Sequence, residues 1–292
     1  MAAIWGFTWT FYIIAMKSIS PLLVGALRNI LASVFLLIFM VVRRIQFPKS
    51  VPEWGILILL GFTWVTIPYA MVMWAVQYTT SGMASVLNGT NPFFVALFSI
   101  YFLRSEKMTM PKMLGLVLGF AGIIVIFSDA FGSLHQSSSA AEAVLFSSAV
   151  FTGLSMVLAK RYTAGFHSVM IITVVMLFGG IALLPLSYLF DQPMKLILSS
   201  QSVGVILFLS LFSSAFGFVA YMWLLKRMDA VTLSMVGFIV PVIALFAGAV
   251  LLNERISPMD MLGTAFVLSG LFTVNKNLIR TPQPEVGSSG AQ

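Results

Sequence analysis

Continuous apolar runs of roughly 20 residues fill this chain, and only short charged or Gly-, Pro- and Ser-rich breaks separate them. A helical run of that length spans the hydrocarbon core of a bilayer. Hydrocarbon offers the backbone no hydrogen-bond partner, so only helices or closed barrels can cross it. The runs do not alternate apolar with polar residues as barrel strands do. The sequence therefore predicts an all-α integral membrane protein.

The composition agrees with lipid as the main solvent. Of the 292 residues, 60% are hydrophobic and 9% are charged, whereas about a quarter of the residues in a soluble domain are charged. The chain has no cysteine, which excludes disulfides and thiolate metal sites. Its two histidines, His135 and His167, are too far apart in sequence to suggest a metal site. We therefore expect no metal and no other cofactor.

Ten apolar segments can be read along the chain. The first is short for a membrane span, because a helix rises only about 1.5 Å per residue. The polar residues that follow the tenth are predicted to be disordered. The segments cover residues 2–16, 21–42, 54–76, 82–103, 113–131, 141–159, 168–190, 202–225, 231–252 and 259–273.

The second half of the chain repeats the landmarks of the first. The recurring pairs are Met73 and Met222, Trp74 and Trp223, Ser85 and Ser234, and Pro92 and Pro241 at an offset of 149 residues, then Glu106 and Glu254, Gly115 and Gly263, and Gly122 and Gly270 at an offset of 148. Spacings held over about fifty residues indicate a duplicated unit. The repeated glycines are typical of close-packed helix faces. The repeated glutamates are expected to cap the following helix or to pair with the neighbouring arginines.

Each unit contains five apolar segments, an odd number, so the second unit enters the membrane from the opposite face. The halves are therefore predicted to be inverted repeats, related by a pseudo-two-fold axis in the membrane plane. In secondary transporters built this way, the substrate site lies near the midplane where the repeats meet. The predicted divisions are a first repeat at 1–131, a periplasmic linker loop at 132–140, a second repeat at 141–274 and a polar cytoplasmic tail at 275–292.

The basic residues set the predicted orientation, because Lys and Arg avoid translocated loops. With the N-terminus in the cytoplasm, 12 of the 16 basic residues fall on the inner side and three on the outer side, while Arg28 lies inside the second segment. Both termini are then cytoplasmic, and the net charge of +7 does not require nucleic acid as a partner. The outer residues are Lys17, Lys195 and Arg255; the inner ones are Arg43, Arg44, Lys49, Arg104, Lys107, Lys112, Lys160, Arg161, Lys226, Arg227, Lys276 and Arg280.

These landmarks, together with Trp5-Gly6, Lys17, Pro21 and Arg28, resemble the drug/metabolite transporter superfamily, EamA type. The resemblance covers nearly the whole chain in two copies. It implies a ten-span, multi-pass protein of the bacterial inner (plasma) membrane that exports or exchanges amino acids, other small metabolites or drugs. The second copy has no clear counterpart of Trp5-Gly6 or Arg28, so a role of Arg28 cannot be extended to the second half by symmetry.

Arg28 is the charged residue that falls inside an apolar segment, seven residues from its outer end at Pro21. An ionisable residue buried in a membrane is expensive, and it is typically paired or faces a cavity. At this depth it could equally extend to the outer headgroups, and both interpretations stay open. In a cavity, the guanidinium would favour a solute with a carboxylate, which it binds in a bidentate fork.

Seven residues are candidates for substrate binding: Arg28, Asn88, Asn91, Trp5, Trp9, Tyr12 and Ser85. The two asparagines and the serine share one helix face, which can touch a solute or hold a neighbouring helix. The aromatic residues mostly follow helical spacing and could contact the apolar part of a solute, although tryptophan and tyrosine also gather at membrane interfaces.

Pro92 and Pro241 fall in the middle of apolar segments, where proline removes a backbone hydrogen bond and kinks a helix. Each kink can be a hinge for rearrangement or a packing feature that arches a helix around a cavity, and the two are compatible. Proton coupling typically needs an intramembrane carboxylate or histidine. The nearest candidate is Asp129, at the outer end of the fifth segment. The sequence therefore leans towards facilitated diffusion or exchange.

Secondary transport of small metabolites, with amino acids first among them, is the function that the sequence favours. No Walker A pattern occurs, so the chain has no ATP site of its own. No G-x-S-x-G or H-E-x-x-H pattern supports a membrane enzyme, and no catalytic residue is expected. We expect an exporter or facilitator that works by alternating access at a midplane cavity. A proton-coupled exporter of drugs or toxic cations is the alternative, and a channel fits less well. The expected partners are a small-molecule substrate and the lipid bilayer, and a monomer is compatible with the pattern.

Overall fold

The structure is a computed structural model that describes residues 1–79, 81–103, 106–128, 138–252 and 257–278. Helices dominate these residues, and no β-strand occurs among them. The helices are α1 (Ala2–Met16), α2 (Pro21–Val42), α3 (Val51–Ala75), α4 (Ser81–Asn88), α5 (Asn91–Phe102), α6 (Met110–Ile126), α7 (Ser139–Tyr162), α8 (Ser168–Phe190), α9 (Ser200–Leu225), α10 (Ala230–Ser234), α11 (Ile239–Leu252) and α12 (Pro258–Leu278). The predicted all-α class is confirmed.

Local sequence signals account for where several helices begin. Proline occupies the first turn of α2, α3, α5 and α6, where its missing N–H would have no partner in any case. Ser50 and Glu53 form a capping box at the start of α3, which satisfies two of the free backbone donors there. These signals explain why α2, α3 and α6 begin close to the edges of apolar segments, whereas α5 begins in the middle of the fourth segment.

Five of the described helices, α2, α3, α7, α8 and α9, are long and apolar enough to cross a membrane. Shorter apolar helical stretches cover Val86–Phe102, Met110–Ile126, Ala230–Ile243 and Pro258–Val274, of which the first spans parts of α4 and α5 and the third spans α10 and part of α11. Each of the ten predicted segments contains helical residues, and the count of ten spans stays a prediction.

Two predicted segments are not continuous helices. The fourth is interrupted at Gly89 and Thr90, between α4 and α5, and the ninth contains a 3-10 turn, Met235–Phe238, between α10 and α11. A residue that precedes proline disfavours the α conformation, and Asn91 precedes Pro92 close to the first break. The backbone therefore leaves the α-helix in corresponding parts of the two halves.

Wide helical turns occupy matching places in α3 and α9. The π-helical segments are Gly61–Thr66 and Leu209–Phe216, and residues 61–66 correspond to residues 210–215 at the offset of 149. Such turns disturb the regular hydrogen-bond ladder and are frequent at functional sites. The first is anchored to α8, where the Thr66 hydroxyl donates to the Gly179 carbonyl at 3.1 Å.

Helices α6 and α12 meet along a glycine seam formed by Gly115, Gly122, Gly263 and Gly270. A Cβ added to Gly122 would lie 2.5 Å from the Gly263 carbonyl oxygen, and one added to Gly263 would lie 2.6 Å from that of Gly122. Gly115 and Gly270 make the same reciprocal contact, at 2.8 and 2.7 Å. Gly122 therefore contacts the repeat counterpart of Gly115, and Gly115 contacts the repeat counterpart of Gly122. Residues related by a two-fold axis make contacts in this reciprocal way. The predicted close-packed glycine face is confirmed.

The other helix pairs follow a reciprocal arrangement as well. Helix α1 packs on α11, and α7 packs on α4 and α5. The first segment of each predicted half therefore contacts the fourth segment of the other half. Helices α2 and α8 pack against each other, and Gly180 lets α8 approach Asn29 and Ile30 closely.

The helix ends gather at two faces. The basic face contains the loops at residues 43–50, 106–109, 163–167 and 226–229. The opposite face contains residues 17–20, 76–79 and 191–199. At the opposite face, the N–H of Ser20 donates to the Lys195 carbonyl at 3.0 Å, and the N–H of Ile197 donates to the Ser18 carbonyl at 2.9 Å. Contacts between the two halves of the chain therefore exist at this face too.

Ion pairs between the two halves connect the basic face. Glu106 pairs with Lys160, and its Oε2 accepts a hydrogen bond from the N–H of Ala230 at 2.9 Å. Lys112 pairs with Asp229, with 2.9 Å between Nζ and Oδ2. Glu106 was expected to cap the following helix or to pair with Arg104. It caps α10 of the other half, because the ends of α5, α7 and α10 meet at this face, and Arg104 lies outside the described residues.

Gly122→Ala should destabilise the folded protein, because the new methyl group would meet the backbone of Gly263, which cannot move aside alone. Over-packing of this kind costs about 1–3 kcal/mol. Thermal melting of the detergent-solubilised protein should show a lower midpoint. Gly55→Ala is the control, since a Cβ added at Gly55 has nothing within 4 Å. Equal midpoints for the two variants would contradict a tight glycine seam.

Candidate functional site

A cavity of about 350 Å³ lies among the helices of both halves. Small-molecule sites occupy about 300–1,000 Å³, so this volume suits one small solute. The lining residues are Trp5, Thr8, Tyr12, Arg28, Trp64, Pro68, Tyr69, Val72, Met73, Asn88, Gly89, Asn91, Pro92, Thr152, Met156, Ser213, Phe218, Tyr221, Ser234, Gly237, Val240 and Pro241. We call this space the central cavity.

Arg28 brings a positive charge to the wall of the central cavity. The residue is only 3% exposed. Its Nε donates to Ser214 Oγ at 2.9 Å, and its Nη2 donates to Ser213 Oγ at 3.2 Å. The guanidinium also lies 5.8 Å from the ring centre of Tyr12 and 5.4 Å from that of Tyr69. The side chain therefore points towards the interior and not towards the headgroups.

No acidic side chain among the described residues pairs with Arg28. The ion pairs found there are Glu106 with Lys160 and Lys112 with Asp229. A guanidinium has five N–H groups, and serine hydroxyls can accept hydrogen bonds from them without neutralising the charge. The cavity wall thus carries a positive charge that forms no ion pair with a carboxylate of the described residues. A buried charge of this kind attracts an anionic partner.

Ser213 joins the charged part of the wall to the aromatic part. Its hydroxyl lies 2.8 Å from Thr8 Oγ1, and Thr8 itself donates to the Ile4 carbonyl at 3.0 Å. Because Ser213 accepts from Arg28, its own hydrogen is left to donate to Thr8. The Ser213 carbonyl accepts from Trp5 Nε1 at 3.1 Å. The π-helical turn of α9 thereby offers both a hydroxyl and a carbonyl to neighbouring helices.

Four aromatic rings form the apolar part of the wall. The ring of Trp5 lies 5.3 Å from that of Phe218 and 5.4 Å from that of Tyr221, measured between centroids. The ring of Trp64 lies 5.9 and 6.3 Å from the same two rings. Aromatic pairs at these distances attract one another. The four rings therefore form one continuous surface, against which an apolar group of a solute can pack.

The two interrupted segments complete the wall. Helix α5 begins at Asn91, so Pro92 stands in the first turn of a new helix, and Pro241 likewise lies in the first turn of α11. The prediction that Pro92 kinks a continuous helix is therefore wrong, because a proline in the first turn of a new helix removes no intrahelical hydrogen bond. At Pro241 the chain stays helical through the 3-10 turn, and a kink there stays a prediction. The proposed role of both prolines as hinges remains a prediction, now attached to the breaks that precede them.

For Asn88 and Asn91 the sequence left two interpretations open, contact with a solute and contact with a neighbouring helix. Asn88 and Asn91 both line the central cavity. Asn91 Nδ2 also donates to the Ala149 carbonyl of α7 at 3.4 Å. Asn91 therefore contacts a neighbouring helix from within the cavity wall, where its amide also remains close to any bound solute.

Most of the predicted site residues come together in the structure. The cavity wall contains Trp5, Tyr12, Arg28, Asn88, Asn91, Pro92 and Pro241. The side chains of Trp9 and Ser85, and the whole of Asp129, lie outside the described residues. The functional roles assigned to all of these residues stay predictions.

Several wall residues were missed by the sequence reasoning, although the repeat carried a signal for them. Phe218 lies 149 residues after Tyr69, and both line the central cavity. Ser213 lies 149 residues after Trp64, and both sit in the π-helical turns. Extending the offset from the obvious landmarks to their neighbours would have identified these positions.

A buried carboxylate, Asp191, was also missed. It is 8% exposed and follows the end of α8. Its Oδ2 accepts from the N–H of Leu23 at 3.1 Å and from Ser187 Oγ at 2.9 Å. Asp191 therefore satisfies a backbone donor at the start of α2. Among the described residues, no group of three or more His, Cys, Asp or Glu could hold a metal ion.

Apolar helices that surround a cavity with charged, polar and aromatic groups define a protein that handles small solutes within a membrane. The family model described as the EamA-like transporter family matches residues 1–128 and 139–276. The chain belongs to this family, and it is a membrane transporter of small molecules.

Similar proteins support this assignment. YoaV of Bacillus subtilis, described as an uncharacterized transporter, is 30% identical over 273 residues, with 92% of each chain covered. Protein PagO of Salmonella typhimurium is 24% identical over 98% of this chain and 94% of its own. A solved crystal structure has a TM-score of 0.81 at 17% identity, with 96% of both chains covered. This last similarity shows the fold alone.

A cysteine introduced at Gly237 should react with water-soluble thiol reagents, because Gly237 lines the central cavity and a Cβ there has nothing within 4 Å. The chain has no native cysteine, so the label reports on one position. We expect the rate of a negatively charged methanethiosulfonate, relative to that of a positively charged one, to fall about fivefold when Arg28→Gln is added. That factor corresponds to about 1 kcal/mol in total, or about 0.5 kcal/mol for each reagent, because the charge acts on the two reagents with opposite sign.

The control for this labelling is Ala26→Cys, because Ala26 is fully buried in α2 and its cysteine should stay unmodified. A rate ratio that does not change with Arg28→Gln would contradict an uncompensated charge in the central cavity.

Proposed function

We propose that this protein is a secondary transporter, an exporter or facilitator, of small metabolites that carry a carboxylate, with amino acids as the leading class. The observation that carries the proposal is the buried guanidinium of Arg28, which lines the central cavity without an ion-pair partner among the described residues. A carboxylate would neutralise this charge and accept hydrogen bonds from N–H groups that Ser213 and Ser214 do not use.

The shape and lining of the central cavity favour a solute of amino-acid size. A volume of about 350 Å³ equals that of about a dozen water molecules at roughly 30 Å³ each. Trp5, Trp64, Phe218 and Tyr221 offer an apolar surface beside the charged group. A solute with a carboxylate at one end and an apolar side chain at the other would match both parts of the wall.

The proposed mechanism uses two inverted five-helix repeats, residues 1–131 and 141–274. Three observations support them: the reciprocal glycine seam, the π-helical turns at the repeat offset, and the two separate matches to the family model. Two equivalent halves can exchange conformations, which gives one state open to each side of the membrane. The breaks before Pro92 and Pro241 are the proposed hinges.

In this mechanism the basic face must open and close during the cycle. Glu106 with Lys160, and Lys112 with Asp229, connect the halves at that face. Glu106 also binds the N–H of Ala230, so α10 is held to the other half. A path from the central cavity through the basic face would require these contacts to separate. We propose that they form the gate on that side.

Export of drugs or toxic cations is the less favoured function. A cationic solute in the central cavity would meet the like charge of Arg28, which opposes binding. Proton coupling also lacks a candidate in the described residues that line the cavity. Asp191 caps α2, and Asp129 lies outside the described residues. We therefore favour facilitated diffusion or exchange.

We assign the protein to the bacterial inner membrane, with both termini and the basic face on the cytoplasmic side. The positive-inside rule supports this orientation, because the loops of the basic face hold most of the Lys and Arg residues. Similarity to YoaV, described as an uncharacterized transporter of the bacterium Bacillus subtilis, supports a bacterial membrane.

Uptake of labelled amino acids into proteoliposomes tests the substrate class. Saturable equilibration of at least one amino acid is expected with equal pH on both sides. Arg28→Gln should reduce that uptake at least about tenfold, because a charge-assisted hydrogen bond contributes about 1.5–3 kcal/mol. Lys17→Gln is the control, since Lys17 is exposed at the opposite face.

Thermal melting establishes that Arg28→Gln is folded before its uptake is compared. Unchanged uptake by the folded variant would leave Arg28 a structural residue. Flux that needs a proton gradient would indicate coupling, and uptake of lipophilic cations in place of amino acids would favour the drug exporter.

A reversible cross-link across the basic face should stop transport if the halves must separate there. Lys112→Cys and Asp229→Cys can be joined by a short bis-methanethiosulfonate reagent, because the native side chains are in contact and no other cysteine competes. Uptake should be lost on cross-linking and should return on reduction. The two single-cysteine variants receive the same reagent as controls. Continued uptake by the cross-linked protein would rule out a gate at this position.

A further inference from the structure

A second cavity, of about 1010 Å³, lies at the basic face and shares no lining residue with the central cavity. It is formed by the connection from α2 to α3, the start of α8 and the end of α9. Five basic residues line it: Arg43, Arg44, Lys49, Lys226 and Arg227. We call this cavity the basic pocket. Nothing in the proposed transport mechanism uses it.

The cations of the basic pocket lack acidic partners in the part of the chain that the structure describes. On the same face, Lys160 pairs with Glu106, and Lys112 pairs with Asp229. Other lysines on this face are therefore neutralised by carboxylates, whereas the basic residues of the pocket form no such ion pairs. The positive-inside rule explains why Lys and Arg lie on this side, but it does not explain why five of them converge on one cavity.

The acidic residue that lines the basic pocket does not neutralise it. The Oε2 of Glu53 accepts hydrogen bonds from the backbone N–H groups of Lys49 at 2.6 Å and Ser50 at 3.4 Å. This carboxylate belongs to the capping box of α3. Its negative charge is directed at a helix N-terminus, and it forms no ion pair with any of the five basic side chains.

Two guanidinium groups are positioned by aromatic rings at the edge of the pocket. Arg227 lies 3.8 Å from the ring centre of Trp223, and its Nη1 donates to the Trp223 carbonyl at 3.1 Å. Arg43 lies 6.0 Å from the ring centre of Phe39. These contacts hold cations beside apolar surface without neutralising them.

The inner part of the pocket is also electropositive. Lys226 donates to the Phe166 carbonyl, and burial, followed by the nearby charge of Arg227, lowers its pKa. Helix α8, 23 residues long, begins at Ser168 in the pocket wall, so the positive end of its dipole adds to the field. A bound anion would raise the pKa of Lys226 towards its ordinary value.

Arg44 reaches the pocket from an unusual backbone conformation. Its φ is +54°, the left-handed region that favours glycine. The N–H of Ile45 donates to the Met40 carbonyl at 2.9 Å, and that of Arg44 donates to the Val41 carbonyl at 3.2 Å. This is the Schellman pattern that ends many helices, normally with glycine where Arg44 stands. An arginine in this strained conformation is consistent with a function of its guanidinium group in the basic pocket.

The rim of the basic pocket is apolar and faces outward. Phe39 is 46% exposed, Phe47 is 44% exposed and Trp223 is 48% exposed. Phe39 and Trp223 lie near the ends of α2 and α9, two helices long and apolar enough to cross the membrane. The rim therefore lies where hydrocarbon meets headgroups, a level at which tryptophan gathers.

We propose that the basic pocket binds the headgroup of an anionic phospholipid. The phosphodiester would contact the unpaired guanidinium and ammonium groups, and the acyl chains would lie along the apolar rim. Basic pockets between transmembrane helices bind anionic headgroups in this way. A soluble phosphate would contact the same cations but has no apolar part to pack against the exposed rim. A lipid is favoured because its acyl chains can make that contact. The bound lipid would brace α2 against α9.

Native mass spectrometry of the full-length protein, titrated with phosphatidylglycerol or phosphatidylcholine, tests the proposal. Phosphatidylglycerol should bind more tightly. Arg43→Gln combined with Arg227→Gln should weaken its binding about 25-fold, at about fivefold for each cation. Lys107→Gln combined with Arg161→Gln is the matched control, because it removes two charges from exposed residues of the same face outside the pocket. The control should weaken binding less than about threefold.

Equal losses for the two double variants would overturn the proposal, because they would indicate general attraction to a basic surface. Inorganic pyrophosphate that binds as tightly as phosphatidylglycerol and displaces it would also overturn it, in favour of a soluble anion. If the pocket variant does not fold, a photoactivatable phosphatidylglycerol on the unaltered protein decides the matter. Cross-links should map to residues 39–49 and 219–227, and cross-links confined to other regions would refute the site.

Discussion

Hydrocarbon leaves no partner for an unsatisfied backbone group, and this constraint explains where the structure departs from regular helix. Inside the predicted segments the main departures are the turns at Gly61–Thr66 and Leu209–Phe216, the break at Gly89 and Thr90, and the turn at Met235–Phe238. Each contributes a residue to the wall of the central cavity. Irregular backbone is tolerated at membrane depth where it lines a cavity or is buried in protein. The backbone itself therefore marks the site, independently of any side chain.

Electrostatic pairing separates the cations into groups with different consequences. Lys112 and Lys160 are neutralised by carboxylates from the other half, and these pairs hold the halves together. Arg28 in the central cavity and the five cations of the basic pocket have no such partners among the described residues. Arg28 is buried, and an unpaired charge in a poorly solvated place costs free energy unless a ligand compensates it. Most cations of the basic pocket are exposed, and there the convergence of five of them on one cavity is what favours an anion. The two unpaired groups are therefore the places where anions of different kinds would bind, a solute in one and a membrane lipid in the other.

Several residues singled out from the sequence line one cavity in the structure, and this agreement has a physical basis. Arg28 was recognised because burying a charge in a membrane demands a reason, and it lies in the cavity wall. Pro92 lies in the first turn of a new helix and not at a kink in a continuous one, because a kink and the start of a helix look alike in the sequence until the hydrogen bonds are known. Ser213 and Ser214 were missed, since a serine in an apolar helix ordinarily bonds to its own backbone. Only the approach of α2 to α9 gives them Arg28 as a partner.

The sequence by itself determined the helical membrane class, the duplicated landmarks and the uneven distribution of basic residues, because length, hydropathy and spacing act along the chain. The tertiary structure alone decided which residues meet across it. It set Gly122 against Gly263, turned Glu106 towards α10 instead of the next helix, and gathered five cations from residues 43–49 and 226–227 into one pocket. Those contacts depend on how helices rotate and cross, which is set by the packing of whole surfaces and leaves no signal in any local stretch.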